Sequence, residues 1–314
     1  MNLKAGAFKT VTPLALTVFM CLSILASSAF SGDPEKAKGH FNSALTLMKE
    51  GNDSLAVLEY RKAIEEDPTF IDAYINLGSY YFSKGKVDEA ERYFKQATEA
   101  EGAVESADAW ANLGRTYYKQ KKYVESEQAY GKALSINGDY TEVYKDRGRL
   151  YMTQKNWPAS VEDLSAYTEK VTDDHLGFYM LGKGYQKLKK YPLAIEAFNK
   201  SIGIKDDYFN SYNSLGQIYQ AQENHTQAFK MFKKAVELKS DSYQAQYNLA
   251  ISYETVYQDD ETKIEQVIAY WSKFLQVAKA SPRAKTLIPG AEEHVKQLKE
   301  LQAHYEEENA REFE

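Results

Sequence analysis

Few side chains in this sequence could carry out covalent chemistry. Its one cysteine is Cys21, set in the apolar run over residues 11–26, so a thiolate nucleophile or thiolate metal ligand would have to be that residue. The five histidines are His40, His175, His225, His294 and His304. An imidazole acts as a general base or a metal ligand only beside a second functional group. His294 and His304 share a predicted helix but are ten residues apart. At the helical rise that is roughly 15 Å, too far for one metal ion. Gly182-Lys183-Gly184 has the composition of the opening of a phosphate loop, yet no strand pattern precedes it. The acidic pairs Asp173-Asp174 and Asp259-Asp260 fall in predicted turns, where carboxylates cap helices. No catalytic centre, metal site or cofactor is expected.

The elements that would position these residues repeat along the chain. A glycine column runs Gly78, Gly114, Gly148, Gly182, Gly216, with steps of 36, 34, 34 and 34. Extended by one period at each end it reaches Ala44 and Ala250, both small. Three residues later stand Tyr81, Tyr117, Tyr151, Tyr185, Tyr219 and Tyr253; four residues earlier stand Tyr74, Trp110, Tyr144, Phe178 and Tyr212. The second half of each unit repeats as well. Ala56, Ala90, Ser126, Ser160, Ala194 and Ala228 form one column, and Tyr60, Phe94, Tyr130, Leu164, Phe198 and Phe232 another. Spacings of three and four put such residues on one helical face. A small residue facing a large one lets two helices pack closely, and a pair of helices this short is stable only when stacked on neighbours.

Turn residues fall between these faces. Gly51 and Gly85 share a register where a left-handed residue would end a helix. Pro158 and Pro192 share another, suited to the first turn of a helix. His40, His175 and His225 occupy unrelated positions of the repeat, so no shared ligand role is expected of them.

The columns resemble the tetratricopeptide repeat family, whose signature pairs an aromatic, Leu-Gly and Tyr on helix A with Ala, an aromatic and Ala on helix B. The Leu-Gly of that signature is read at Leu77-Gly78, Leu113-Gly114, Leu181-Gly182 and Leu215-Gly216. The resemblance covers residues 37–280. It implies an all-α fold: a right-handed superhelical solenoid of antiparallel helix pairs, about seven repeats long. The repeats are expected over 37–70, 71–106, 107–140, 141–174, 175–208, 209–242 and 243–280, with a capping helix and acidic tail over 281–314. Arg147 replaces the leucine of the signature, and Tyr167 replaces a small residue in the same repeat, which predicts altered packing there. Residues 258–262 (QDDET) read as a polar insertion in the last hairpin. Val295, Leu298 and Leu301 mark the inner side of the capping helix, and residues 306–314 are expected to fray.

Residues 1–29 read as a secretory signal: Lys4 and Lys9, the apolar run, then Ser27-Ser28-Ala29. Residues 30–36 would form a short segment ahead of the repeats. The expectation is an exported protein, periplasmic or extracellular; an uncleaved N-terminal anchor is the alternative. Export with cleavage would leave the chain without cysteine, hence without disulfides.

What the family resemblance implies about function is a scaffold rather than an enzyme, binding a protein or peptide segment along its A helices. Matching positions give Arg115, Tyr118 and Lys119, then Lys145 and Arg149, then Tyr179, Lys183 and Lys187. Six basic residues in a chain of net charge −6 would form a positive stripe for an acidic or extended segment. That net charge gives no expectation of nucleic acid as ligand. The family's carboxylate clamp is not expected: Asn76 and Asn112 match its asparagine position, but Phe41 and Ile75 stand where it needs lysine. A self-assembling module is the second functional reading.

Overall fold

The computed structural model describes residues 32–100 and 106–312. Their regular structure is entirely helical, and the chain divides into two compact units after Gly138. Residues 1–29, read as a secretory signal, lie outside the described residues.

The first unit holds three hairpins: α1 (Pro34–Lys49) with α2 (Asp53–Glu66), α3 (Ile71–Ser83) with α4 (Val87–Glu99), and α5 (Ala107–Lys119) with α6 (Tyr123–Ile136). The second unit begins with α7 (Thr141–Thr153) and α8 (Trp157–Lys170), then α9 (His175–Lys187) and α10 (Tyr191–Ile204). It continues with α11 (Phe209–Ala221) and α12 (His225–Leu238), then α13 (Tyr243–Val256) and α14 (Ile264–Lys279), and closes on α15 (Ile288–Glu312). Seven hairpins and a terminal helix match the expected order. Helix A starts where the register predicts it in repeats two to seven. In the first repeat Asp33 caps the helix through Glu35 N and Lys36 N, with Pro34 at its first position, so α1 begins three residues earlier than the register.

The glycine column is explained by contact. A Cβ on Gly78 would stand 2.8 Å from the Phe94 ring, and one on Gly114 would stand 2.7 Å from Tyr130. The same holds for Gly148 against Leu164 (2.8 Å), Gly182 against Phe198 (2.7 Å) and Gly216 against Phe232 (2.6 Å). Each large partner is buried, so any side chain at the glycine would push the two helices apart. Close approach also explains the serines that replace alanine: Ser126 Oγ donates to the carbonyl of Gly114 (2.8 Å), and Ser160 Oγ to that of Gly148 (2.9 Å).

Every A helix from α1 to α11 ends the same way. The N–H two residues past the cap reaches back five residues, as Lys86 N does to Tyr81 O (2.9 Å). The residue between is left-handed: Gly51 and Gly85 at φ 78° and 75°. Lys121, Lys155, Lys189 and Glu223, which no glycine marks in the sequence, adopt it too, at φ 64°, 60°, 57° and 59°. At these four positions the turn runs against local preference, closed by the same backbone hydrogen bond.

The insertion after α13 forms a short 3-10 turn, Glu261–Lys263, capped by Asp260. The last helix packs Ala291 and Val295 into the core of α14, with Leu298 beside them, while Leu301 is exposed. It runs to Glu312, with i,i+4 ion pairs such as Arg311–Glu307 along it. His294 joins it to the seventh repeat: its Nε2 lies 2.9 Å from Glu254 Oε1, and Trp271 Nε1 donates to Glu254 Oε2 (2.7 Å).

Candidate functional site

Within each unit the A helices of successive repeats touch directly: α3 meets α5 in the first, and α9 meets both α7 and α11 in the second. Within each unit these contacts make a row, and the sequence-predicted binding residues lie on these helices. Three belong to the first unit and five to the second.

In the first unit, Arg115 Nη1 donates to Asn112 Oδ1 (3.2 Å) one turn back on α5. The Tyr118 ring lies 6.0 Å from Tyr123 across the hairpin turn, and Lys119 Nζ sits 4.7 Å above the Phe82 ring. Lys119 is exposed, with no carboxylate partner among the described residues.

In the second unit, two of the predicted cations are already neutralised. Lys145 Nζ lies 3.2 Å from Asp174 Oδ2 and 3.1 Å from the Tyr167 hydroxyl, which itself donates to Asp174 Oδ2 (2.8 Å). Burial pushes the Lys145 ammonium down, but these two bonds outweigh it and hold the group above the ordinary lysine value. Arg149 Nη2 lies 2.7 Å from Asp146 Oδ1. Beneath them Arg147 makes a two-pronged pair with buried Asp163, both distances 2.8 Å. The polar substitutions of repeat four thus serve one another.

Lys183 is different. Its Nζ donates to Gln186 Oε1 (2.7 Å) and meets no carboxylate among the described residues. Burial pushes its ammonium below the ordinary lysine value, and repulsion from Lys187 adds to the shift. Lys187 is exposed and stands 5.9 Å over the Trp157 ring. Tyr179 packs 5.8 Å from Phe198 and edge-on to Tyr208 at 5.2 Å, its phenol pushed up by burial.

Carboxamides follow on the next A helix. Gln186 Nε2 reaches Gln217 Oε1 on α11 at 3.5 Å. Asn213 Oδ1, also on α11, is buried with no hydrogen-bond partner among the described residues. Sequence reasoning sought charge and missed these amides. The register contained them: Asn213 follows Lys145 and Tyr179 at steps of 34, and Gln217 follows Arg149 and Lys183 likewise.

Two family profiles, both described as Tetratricopeptide repeat, match the chain: one over residues 75–140, the other over 32–70, 177–208 and 209–242. No curated protein matches. Among solved structures, the C-terminal part of a TPR repeat-containing protein from Cytophaga hutchinsonii is 20% identical with a TM-score of 0.62. That match covers 78% of this chain and 98% of that one. YrrB, described as a TPR protein with an unusual peptide-binding site, is 20% identical with a TM-score of 0.56, over 60% of this chain and 96% of its own. PilF of Pseudomonas aeruginosa is 19% identical with a TM-score of 0.55, over 69% of this chain and 96% of its own. These likenesses bear on the fold. The profile matches span more than half of the chain at the 34-residue spacing that its glycine contacts explain, so the chain belongs to the tetratricopeptide repeat family.

Proposed function

We propose that this protein is a non-enzymatic scaffold, exported to the cell envelope, that holds an extended, acidic segment of a protein partner along its A helices. The observation that carries the reading is Lys183. A half-buried ammonium without a counter-charge costs folding energy and is retained where another molecule supplies the charge. The amides of Gln186, which Lys183 contacts, and of Gln217 beyond can bond a peptide main chain, which offers one donor and one acceptor per residue. Lys187 adds long-range attraction for acidic side chains. Peptide binding by YrrB, named in its description, agrees with this use of the fold. The sequence of residues 1–29 supports export.

The test is a selection of randomised displayed peptides on wild-type protein and on Lys183→Met. Wild type should enrich peptides carrying Asp or Glu, with affinity reduced about tenfold in the variant. The variant should melt no lower than wild type, since it removes an uncompensated buried charge. Equal enrichment on both proteins would refute the assignment. Amino-terminal sequencing of the native protein tests export, which predicts a first residue near Phe30.

A further inference from the structure

The B helices carry a feature separate from the A-helix row. A cavity of about 700 Å³ opens between α4 and α6, floored by Trp110, Leu113 and Tyr117 of α5 and walled on one side by Ala129. It lies wholly within the first unit. The corresponding cleft between α2 and α4 is about 240 Å³, and that between α8 and α10 about 250 Å³. The widest of the three coincides with the one inter-repeat step of 36 residues.

The neighbouring repeat shows what the cavity lacks. In repeat two, Tyr93 stacks on Tyr81 with ring centroids 5.5 Å apart and planes 6° from parallel. Lys86 Nζ sits 5.8 Å from the Tyr81 ring, and Arg61 Nη2 donates to its hydroxyl (2.9 Å). Repeat three rebuilds this arrangement in the same register. Tyr117 stands for Tyr81, Lys122 Nζ lies 5.6 Å from its ring, and Lys95 Nζ, in the register of Arg61, lies 5.8 Å away. Only the stacking ring is gone, because Ala129 occupies the register of Tyr93.

We propose that this slot over Tyr117 takes up one aromatic side chain from a protein partner, in the place that Tyr93 fills in the preceding repeat. The charges at the mouth fit an uncharged ring. The lining carries two lysines, Lys95 and Lys132, and two glutamates, Glu99 and Glu125, so its formal charges cancel. A planar, neutral group with a polar tip meets an aromatic floor and hydrogen-bonding walls, the combination on which tyrosine and tryptophan anchors depend.

The test uses the full-length protein and 4-methylphenol, the tyrosine side chain as a free molecule. The chain has three tryptophans. Titration should move the Trp110 indole N–H signal and leave those of Trp157 and Trp271 in place. Ala129→Tyr supplies the missing ring and should weaken this binding about tenfold or more. Gly131→Leu is the second variant. It narrows the cavity at a position where an added Cβ meets nothing within 4 Å, so it should fold. Displayed peptides selected on wild type and depleted on both variants should be enriched in Tyr, Phe or Trp. The proposal is overturned if 4-methylphenol leaves Trp110 unmoved, if either folded variant binds it as well as wild type, or if the selected peptides show no aromatic enrichment.

Discussion

Tyr167 lies so close to Gly177 that a Cβ on the glycine would stand 2.6 Å from the tyrosine ring. Both residues break their columns. Tyr167 stands where Ala63, Ala97, Ala133 and Ala235 stand in other repeats, and Gly177 where Ala73, Ala109 and Ala245 stand. The large residue at the end of repeat four is matched by a missing one at the start of repeat five. Gly177→Ala is therefore expected to destabilise the second unit by about 1–3 kcal/mol, the usual cost of overpacking. In a Tyr167→Ala background the same change should be nearly neutral. A double-mutant cycle by urea denaturation measures the coupling, and additive effects would refute the pairing.

Arg147 and Asp163 form a second matched pair. Arg147 has only 22% of its side chain exposed, so removing Asp163 leaves a largely buried guanidinium without its carboxylate. Asp163→Ala should cost about 3–5 kcal/mol. Other repeats have leucine in the register of Arg147 (Leu77, Leu113, Leu181, Leu215), and two have alanine in the register of Asp163 (Ala129, Ala197). The double variant Arg147→Leu with Asp163→Ala should recover most of the lost stability, read from the thermal midpoint. A double variant as unstable as Asp163→Ala would show that the pair is not what sustains this hairpin.

These pairs mark where sequence reading reached its limit. Columns such as Gly78 and Phe94 were legible because one contact recurs at a fixed period, so several copies report the same packing rule. Arg147 and Tyr167 were visible as departures. Their partners were not, since each compensation occurs once and joins residues 10 to 16 apart with no period behind them. In the candidate groove the cations were legible by type. That Lys145 and Arg149 spend their charge on Asp174 and Asp146 while Lys183 does not follows from side-chain directions, which a single chain of letters does not carry.

The left-handed turn residues give a prediction in the stabilising direction. Lys155 and Glu223 hold φ near 60° in the turn where Gly51 and Gly85 relieve the same strain. A side chain in this conformation costs about 1–2 kcal/mol, part of which glycine gives back through its looser unfolded state. Lys155→Gly and Glu223→Gly should each raise stability by about 0.5–1 kcal/mol, and Gly85→Ala should lower it by about 1 kcal/mol. Chemical denaturation of the three variants checks both signs, and a loss on introducing glycine would contradict the turn geometry.

Acid stability should depend on Glu91. Its Oε1 lies 2.7 Å from Lys95 Nζ, and its Oε2 lies 2.8 Å from Lys122 Nζ, so one carboxylate ties repeat two to repeat three. Burial pushes its pKa up, but hydrogen bonds from Lys122, Lys95 and Gln120 outweigh burial and hold it at about 2. An unfolded glutamate titrates near its ordinary value of about 4.3. The folded state therefore binds this proton less readily, and the stabilisation is fully present above that value. It is lost as pH falls toward 2, because the unfolded chain takes up the proton first. Glu91→Gln removes the titration. The variant should melt below wild type at pH 6, and the two melting curves should converge between pH 4.5 and pH 2. A gap between them that stays constant across this range would mean that Glu91 acts through packing alone, and the charge-based tie between the repeats would have to be abandoned.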